Sequence, residues 1–227
     1  MAARIGLIGG LSWESTASYY RELNQRFRGA SEWSQPTVLI DSLDFGAIVD
    51  LQRRGDWRAT GAILADSARR LVLAGADVLA IGANTMHVNV DEVRRAVDVP
   101  IVDVRDAVAF EARRATSTSI ALLGTKYLMD GDFYSRRLDE LGVASVRPLP
   151  GQIEALQRII FDELTLGVVT SASRDYLRGV AISCLERGAT TIGLCCTEFG
   201  LLMTEDDELP VIDSTLAHVR ALLATLA

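Results

Sequence analysis

Gly188-Ala189-Thr190-Thr191-Ile192-Gly193-Leu194-Cys195-Cys196-Thr197-Glu198 decides how this chain is read, because the pattern has already occurred once. Gly75-Ala76-Asp77-Val78-Leu79-Ala80-Ile81-Gly82-Ala83-Asn84-Thr85 matches it without a gap, each residue 113 positions earlier (75 to 188). Pro100-Ile101-Val102-Asp103 is echoed by Pro210-Val211-Ile212-Asp213, and Ile5-Gly6-Leu7-Ile8-Gly9 by Ile120-Ala121-Leu122-Leu123-Gly124. Three strand-and-loop units recur in one order, which implies two similar α/β lobes facing each other. At the heart of the repeat, Cys196 in one lobe matches Ala83 in the other.

Short apolar runs alternate with longer helical patterns. The expected strands are Ile5–Ile8, Thr37–Ile40, Val78–Ile81, Ile101–Val102, Ser119–Leu123, Ser145–Arg147, Thr191–Leu194 and Val211–Ile212. Most are continuously apolar, as strands of a parallel sheet covered on both faces are. Thr16, Tyr19, Leu23 and Phe27 form one helical stripe, and Trp57, Leu64, Ala68 and Leu71 a second. Ile153, Leu156, Ile160 and Leu164 form a third, and Leu216, Val219, Leu223 and Leu226 the last. Such stripes are core-facing. The fold class is therefore α/β: two pseudo-symmetric lobes, each a parallel four-stranded sheet flanked by helices. The lobes are expected at 1–115 and 116–227, with the last helix, 214–227, packing back on the first lobe.

The 227 residues are 49% hydrophobic, enough for a substantial core, and carry a formal net charge of −7. No segment approaches ~18 uninterrupted apolar residues, so no membrane span is expected. The charge is spread, without a basic run, and nucleic acid is not an expected partner. The N-terminus runs directly into a strand-like segment, so the cytoplasm is the default location. Cys184, Cys195 and Cys196 have neither CxxC spacing nor a separated pairing pattern. A reducing compartment and a nucleophile or base fit better than a staple or a zinc site. Neither His87 nor His218 has metal-ligand spacing.

Ligands of open α/β sheets sit beyond the carboxyl ends of the strands. Four loops qualify: Gly9-Gly10-Leu11-Ser12, Gly82-Ala83-Asn84-Thr85, Gly124-Thr125-Lys126 and Cys195-Cys196-Thr197-Glu198. They place the active site in a cleft between the lobes. Cys196 follows a buried strand and precedes a helical turn, whose N–H groups would favour a thiolate. Cys195 should point the other way, into the core, and Cys184 should pack within a helix. Asn84, Thr85 and Thr197 are short hydrogen-bonding side chains suited to a carboxylate, or to capping turns. His87 is open to three roles: structural, orienting the loop, or donating a proton. Glu198 is open to two, a helix cap or a contact to a substrate ammonium. Asp41 and Asp44 end the second strand, as turn residues or as lining. Gly9-Gly10 falls short of a dinucleotide fingerprint, and no Walker-type Gly-Lys-Ser/Thr occurs.

Ile5-Gly6-Leu7-Ile8-Gly9-Gly10-Leu11-Ser12-Trp13-Glu14-Ser15-Thr16, Asn84-Thr85-Met86-His87, Leu122-Leu123-Gly124-Thr125-Lys126-Tyr127 and Cys196-Thr197-Glu198 together resemble the aspartate/glutamate racemase family. The resemblance runs over essentially the whole chain. It implies a cofactor-independent amino-acid racemase or epimerase: an isomerase using neither pyridoxal phosphate nor metal. It further implies a small amino or dicarboxylic acid as substrate and a homodimer. Two thiols flank Cα in that family, one taking the α-proton and the other returning one on the opposite face. The resemblance assigns Cys196 and position 83 to catalysis, and Gly10, Ser12, Asn84, Thr85, Thr125, Thr197 and Glu198 to substrate, with His87 as an auxiliary.

The sequence departs from the pattern at Ala83, which can neither take nor give a proton. Leu128 stands where a small hydroxyl residue is expected, and Gly167-Val168-Val169-Thr170 where a lysine for the substrate carboxylate is expected. Four readings follow from Ala83. The partner base is His87 or an activated water; the alanine is a substitution that traps substrate; the enzyme uses one thiol, as the related arylmalonate decarboxylases do; or the protein binds a small acid without turnover.

Overall fold

Hydrogen-bonding and capping groups fall where the apolar pattern starts and stops. The computed structural model of the chain describes residues 3–29 and 31–226. In chain order its elements begin with β1 (Ile5–Gly9), α1 (Trp13–Arg26), β2 (Val38–Ser42), α2 (Phe45–Arg54), α3 (Trp57–Leu73) and β3 (Val78–Ile81). A 3-10 turn (Thr85–Asn89), α4 (Val90–Ala96), β4 (Ile101–Val102), α5 (Val104–Arg114), β5 (Ser119–Gly124), α6 (Lys126–Asp130) and α7 (Phe133–Glu140) follow. Then come β6 (Ala144–Val146), α8 (Pro150–Arg158), a π turn (Ile159–Glu163) and a 3-10 turn (Leu164–Leu166). The chain closes with α9 (Ser171–Glu186), β7 (Thr191–Cys195), a 3-10 turn (Thr197–Leu201), β8 (Val211–Asp213) and α10 (Ser214–Ala224). Each of the eight expected strands has its counterpart, shifted by no more than two residues at either end.

Two parallel four-stranded sheets result, ordered β2-β1-β3-β4 and β6-β5-β7-β8. The order is the same when the second set is renumbered from one, so the sequence repeat is a structural repeat. Ile8 is in register with Ile81, and Leu123 with Leu194. Position 81 and position 194 are repeat partners, so β3 and β7 share their register, with β7 running one residue further, to Cys195.

In the first unit, alternation along the strands separates two layers. Ile5, Leu7, Val78 and Ala80 pack with Tyr19 and Leu23 of α1 and with Val219 and Leu222 of α10. Ile8, Leu79 and Ile81 pack with Leu64, Ala68 and Leu71 of α3 and Val90 and Val93 of α4. Tyr19 and Leu23 lie one helical turn apart, with Ser15 a turn earlier, which makes the buried face of α1. Side chains fix the helix starts: Asp44 accepts from the Gly46 N–H, Asp56 from Ala59 and Thr170 from Ser173.

Residues up to Asp103 together with those from His218 onward form one unit, and Val104–Ala217 the other. The first division thus falls at Asp103/Val104 and not at 115/116. The reason is visible in α5: Arg137 grips Asp106 through two bonds of 2.7 and 2.9 Å, and Arg113 Nη1 donates to the Leu141 carbonyl at 2.9 Å. Those ties hold α5 to the second unit. Helix α10 starts in the second unit and ends in the first, where Val219 and Leu222 join the core. His218, Val219 and Leu222 are buried there. Leu216, Leu223 and Leu226 of the expected stripe are only partly buried.

Candidate functional site

In the second unit the site is built around the end of β7. Cys196 leaves the strand in an extended conformation, and its carbonyl accepts from the Phe199 N–H at 3.0 Å to start the 3-10 turn. The turn carries Glu198 back over the thiol. Cys196 Sγ donates to Glu198 Oε2 at 3.1 Å, and Thr197 Oγ1 donates to the same oxygen at 2.7 Å. Cys196 and Glu198 are both buried. Burial first, and then the facing Glu198 carboxylate, push the Cys196 thiol well above its ordinary value.

Both causes act against the expected resting thiolate. A five-residue 3-10 turn supplies little dipole, and the nearest charge is negative. The resting pair is a thiol hydrogen-bonded to a carboxylate, which is an acid with its base already in place. Buried Glu198 is the hydrogen-bond partner of the Cys196 and Thr197 side chains.

The other two cysteines are core, as expected. Cys195 is wholly buried, with a Tyr134 hydrogen bond, and burial pushes its thiol up to about 12. Cys184 is buried in α9 and accepts from Arg187 Nη2 at 3.1 Å. Thr125 caps α6, accepting from the Leu128 N–H at 3.3 Å. Leu128 itself is fully buried, and a Cβ at Gly124 would lie 3.1 Å from it. It fills core where a hydroxyl would need a partner. The segment at Gly167 closes a 3-10 turn with a left-handed residue, and Thr170 then caps α9. Glu163 Oε2 accepts there from Ser173 at 2.5 Å.

In the first unit the equivalent loops are held in a bonded lattice. Gly10 has φ +68, and a Cβ there would lie 2.2 Å from the Leu43 backbone, so only glycine fits. Ser12 has φ 150 and ψ 153, a conformation L side chains rarely adopt. It is kept there by capping: Ser15 N–H donates to its Oγ at 3.0 Å, and Thr16 Oγ1 to its carbonyl at 3.0 Å. Thr16 Oγ1 in turn accepts from the Gly10 N–H at 2.8 Å. Ser15 Oγ donates to the Gly82 carbonyl at 2.6 Å, joining this loop to the one after β3.

Ala83 stands where Cys196 stands in the second unit, one residue after the Gly82/Cys195 pair. Its methyl group packs against an apolar cluster that includes Ile8, Leu11 and Met86. Asn84 and Thr85 are buried beside it. His87 Nδ1 is 2.9 Å from the Ala83 carbonyl. A carbonyl only accepts, so Nδ1 carries the proton. Nε2 then faces Asp103 Oδ1 at 3.9 Å, and Asp103 Oδ2 accepts from Arg94 at 2.9 Å. His87 is thereby bonded to the backbone of the loop at Ala83. Asp41, within β2, pairs with Arg70 at 2.6 Å, and Asp44 caps α2.

Sequence reasoning passed over the buried cluster behind this loop. Tyr19 Oη lies 2.8 Å from His218 Nδ1, His218 Nε2 lies 2.8 Å from the Val102 carbonyl, and the His87 and His218 rings are 5.8 Å apart. One signal pointed there: Asp103 and Asp213 end the same repeat. Asp213 accepts from the Thr215 and Leu216 N–H groups, capping α10. Position 87 is matched by Gly200, and a Cβ on Gly200 would approach Asp213 Oδ2 to 2.8 Å. The histidine–aspartate contact therefore exists in one unit only.

Among the described residues, no group of three or more His, Cys, Asp or Glu could hold a metal ion, and no helix is long and apolar enough to cross a membrane. Residues 8–222 match the family described as Asp/Glu/Hydantoin racemase. The crystal structure of a proposed Asp/Glu racemase from Yersinia pestis is similar with a TM-score of 0.89 and 36% identity, over 99% of both chains. That of an aspartate racemase homologue from Pyrococcus horikoshii OT3 gives 0.83 and 34%, over 100% of this chain and 99% of that one. The aspartate racemase of Picrophilus torridus shares the fold at 0.80 and 18% identity, over 99% and 94%.

Proposed function

Because the chain belongs to the Asp/Glu/hydantoin racemase family, we propose that it is a cofactor-independent isomerase of the racemase/epimerase type, working by thiol acid–base chemistry at Cα of a small amino or dicarboxylic acid. The observation that carries this is the buried Cys196 Sγ–Glu198 Oε2 contact of 3.1 Å. An α-proton is a very weak acid, so the base must be strong when it acts and the product carbanion must be stabilised as an enediolate. A buried thiol with a raised affinity for its proton makes a stronger base, once ionised, than an exposed one. Glu198 takes the thiol proton as substrate arrives, and the thiolate takes the α-proton.

Within the first unit, the substrate carboxylate is assigned to the buried Asn84 and Thr85. Fixed donors of this kind are worth ~3–4 kcal/mol each toward the enediolate. Three free cysteines, all buried, fit a reducing cytoplasm. A homodimer is part of the same proposal.

The test is Cys196→Ala. It should abolish α-proton exchange and keep ligand-induced thermal stabilisation. Full activity in that variant would remove the thiol from the mechanism.

A second reading is favoured by one observation. Ala83 packs in apolar surroundings, and poor solvation of a carboxylate assists its loss as carbon dioxide. A one-thiol decarboxylase would then use Cys196 to protonate the enediolate. Release of carbon dioxide from a substituted malonate, with no exchange of amino acids, would decide for it.

A further inference from the structure

We infer that the exposed face of α3 is the surface through which two copies of this chain pair, antiparallel about a two-fold axis. The inference names the interface of the homodimer proposed above and rests on that reading.

Helix α3 turns two faces in opposite directions. Leu64, Ala68 and Leu71 enter the core of the first unit. Ala62, Asp66, Arg69 and Leu73 are exposed on the other side. Their spacing of four, three and four residues lines them up as one seam. Leu73 is 87% exposed. A single exposed leucine is ordinary. The order along the seam is the telling feature: small apolar, acidic, basic, large apolar.

That order is complementary to its own reverse. Ala62 and Leu73 lie equally far from the midpoint between Asp66 and Arg69. A second copy laid antiparallel on that midpoint sets Leu73 opposite the partner's Ala62, and Asp66 opposite the partner's Arg69. The two-fold axis repeats both contacts. Large meets small, and each charge meets its opposite. A parallel, in-register pair would set aspartate on aspartate and arginine on arginine, so the charges select the antiparallel direction. The helix dipoles favour the same direction. Within one chain Asp66 and Arg69 already bond at 2.6 Å, with more than half of each side chain exposed. Such a surface pair contributes little alone. In the dimer four charges alternate around the axis as a network.

The same surface has room for the leucine. A groove of about 280 Å³ lies between α3 and α4, lined by Ala62 and Ala65 of the first, Glu92 and Ala96 of the second, and the Asp66 and Arg69 side chains of the seam. The alanines leave the space. The partner's Leu73 comes opposite Ala62, one of those alanines, and burying it there in each half supplies the apolar part of the contact.

The experiment is sedimentation equilibrium of the full chain over a wide concentration range, for wild type and four variants. Circular dichroism of each checks that the fold is kept, which the exposure of these positions favours. Leu73→Glu removes both leucines and brings a carboxylate toward the partner's Glu92. The dimer dissociation constant should rise roughly 100-fold or more. Asp66→Arg and Arg69→Asp each oppose like charges across the seam, and each should raise it about 10-fold. Asp66→Arg combined with Arg69→Asp restores opposite charges and should return it to within ~3-fold of wild type. Wild-type affinity in Leu73→Glu, or a double variant that pairs no better than the single ones, overturns the inference and leaves a homodimer through another face. A wild-type protein that stays monomeric at every concentration overturns the homodimer itself, and the inference with it.

Discussion

Ser15 Oγ lies 2.6 Å from the Gly82 carbonyl oxygen, and that bond ties the first turn of α1 to the loop carrying Ala83. Ser15 is buried, so no water replaces it when it is removed. Ser15→Ala should leave the Gly82 carbonyl short of a donor at a cost of about 1–3 kcal/mol. Urea denaturation of the two proteins measures it. Equal stabilities within ~0.5 kcal/mol would mean that Gly82 finds another donor.

Stability should fall as pH is lowered through the histidine range, and His218 should be a main cause. Complete burial, then the neighbouring His87, lower its pKa from 6.5 to about 3. The folded protein keeps His218 neutral, with Nε2–H donating to Val102 and Nδ1 accepting from Tyr19. Below pH 6.5 the unfolded chain binds a proton that the folded chain refuses. Stability from this group is therefore complete above pH 6.5 and is lost toward pH 3, at up to about 1.4 kcal/mol per pH unit. His218→Gln should flatten the stability curve between pH 7 and 5. Parallel curves for wild type and variant would assign the acid sensitivity elsewhere.

The strands were legible because buried parallel strands are uninterrupted apolar runs, and the repeat fixed their order twice over. The place of Cys196, directly after β7, was legible from the same repeat. Its protonation was not: a turn after a strand suggests an N-terminal dipole, whereas the decisive neighbour is Glu198, two residues on, folded back over the sulfur. The role of His87 was equally hidden, since its partners are a backbone carbonyl and Asp103, sixteen positions away. The attachment of α5 to the second unit rests on Arg137 and Asp106, a pairing that no local pattern announces.

Glu198→Gln separates the two effects that hold the Cys196 proton. The carboxylate and its hydrogen bond raise the thiol's pKa in addition to burial. Removing the charge should move the thiol titration down, while burial keeps it above the ordinary value. Thiolate absorbance near 240 nm against pH would read the shift. Exchange at Cα should fall by ~10²–10⁴, the range for loss of a positioned base. A titration that stays put would show that the 3.1 Å contact does not govern the thiol.

Ala83→Cys tests the repeat as chemistry. The variant puts a thiol at the counterpart of Cys196, in a loop whose backbone His87 already holds through the residue-83 carbonyl. If the two positions serve opposite faces of Cα, the variant should convert one enantiomer of its substrate into the other. The rate of interconversion should rise roughly 100-fold or more over wild type, as one acid–base group is restored. Ala83→Ser is the matching control, close in size but far too weak an acid, and it should leave the wild-type rate of interconversion unchanged. An Ala83→Cys protein that exchanges normally yet never forms the opposite enantiomer would place position 83 away from the second face of Cα, whatever the repeat suggests.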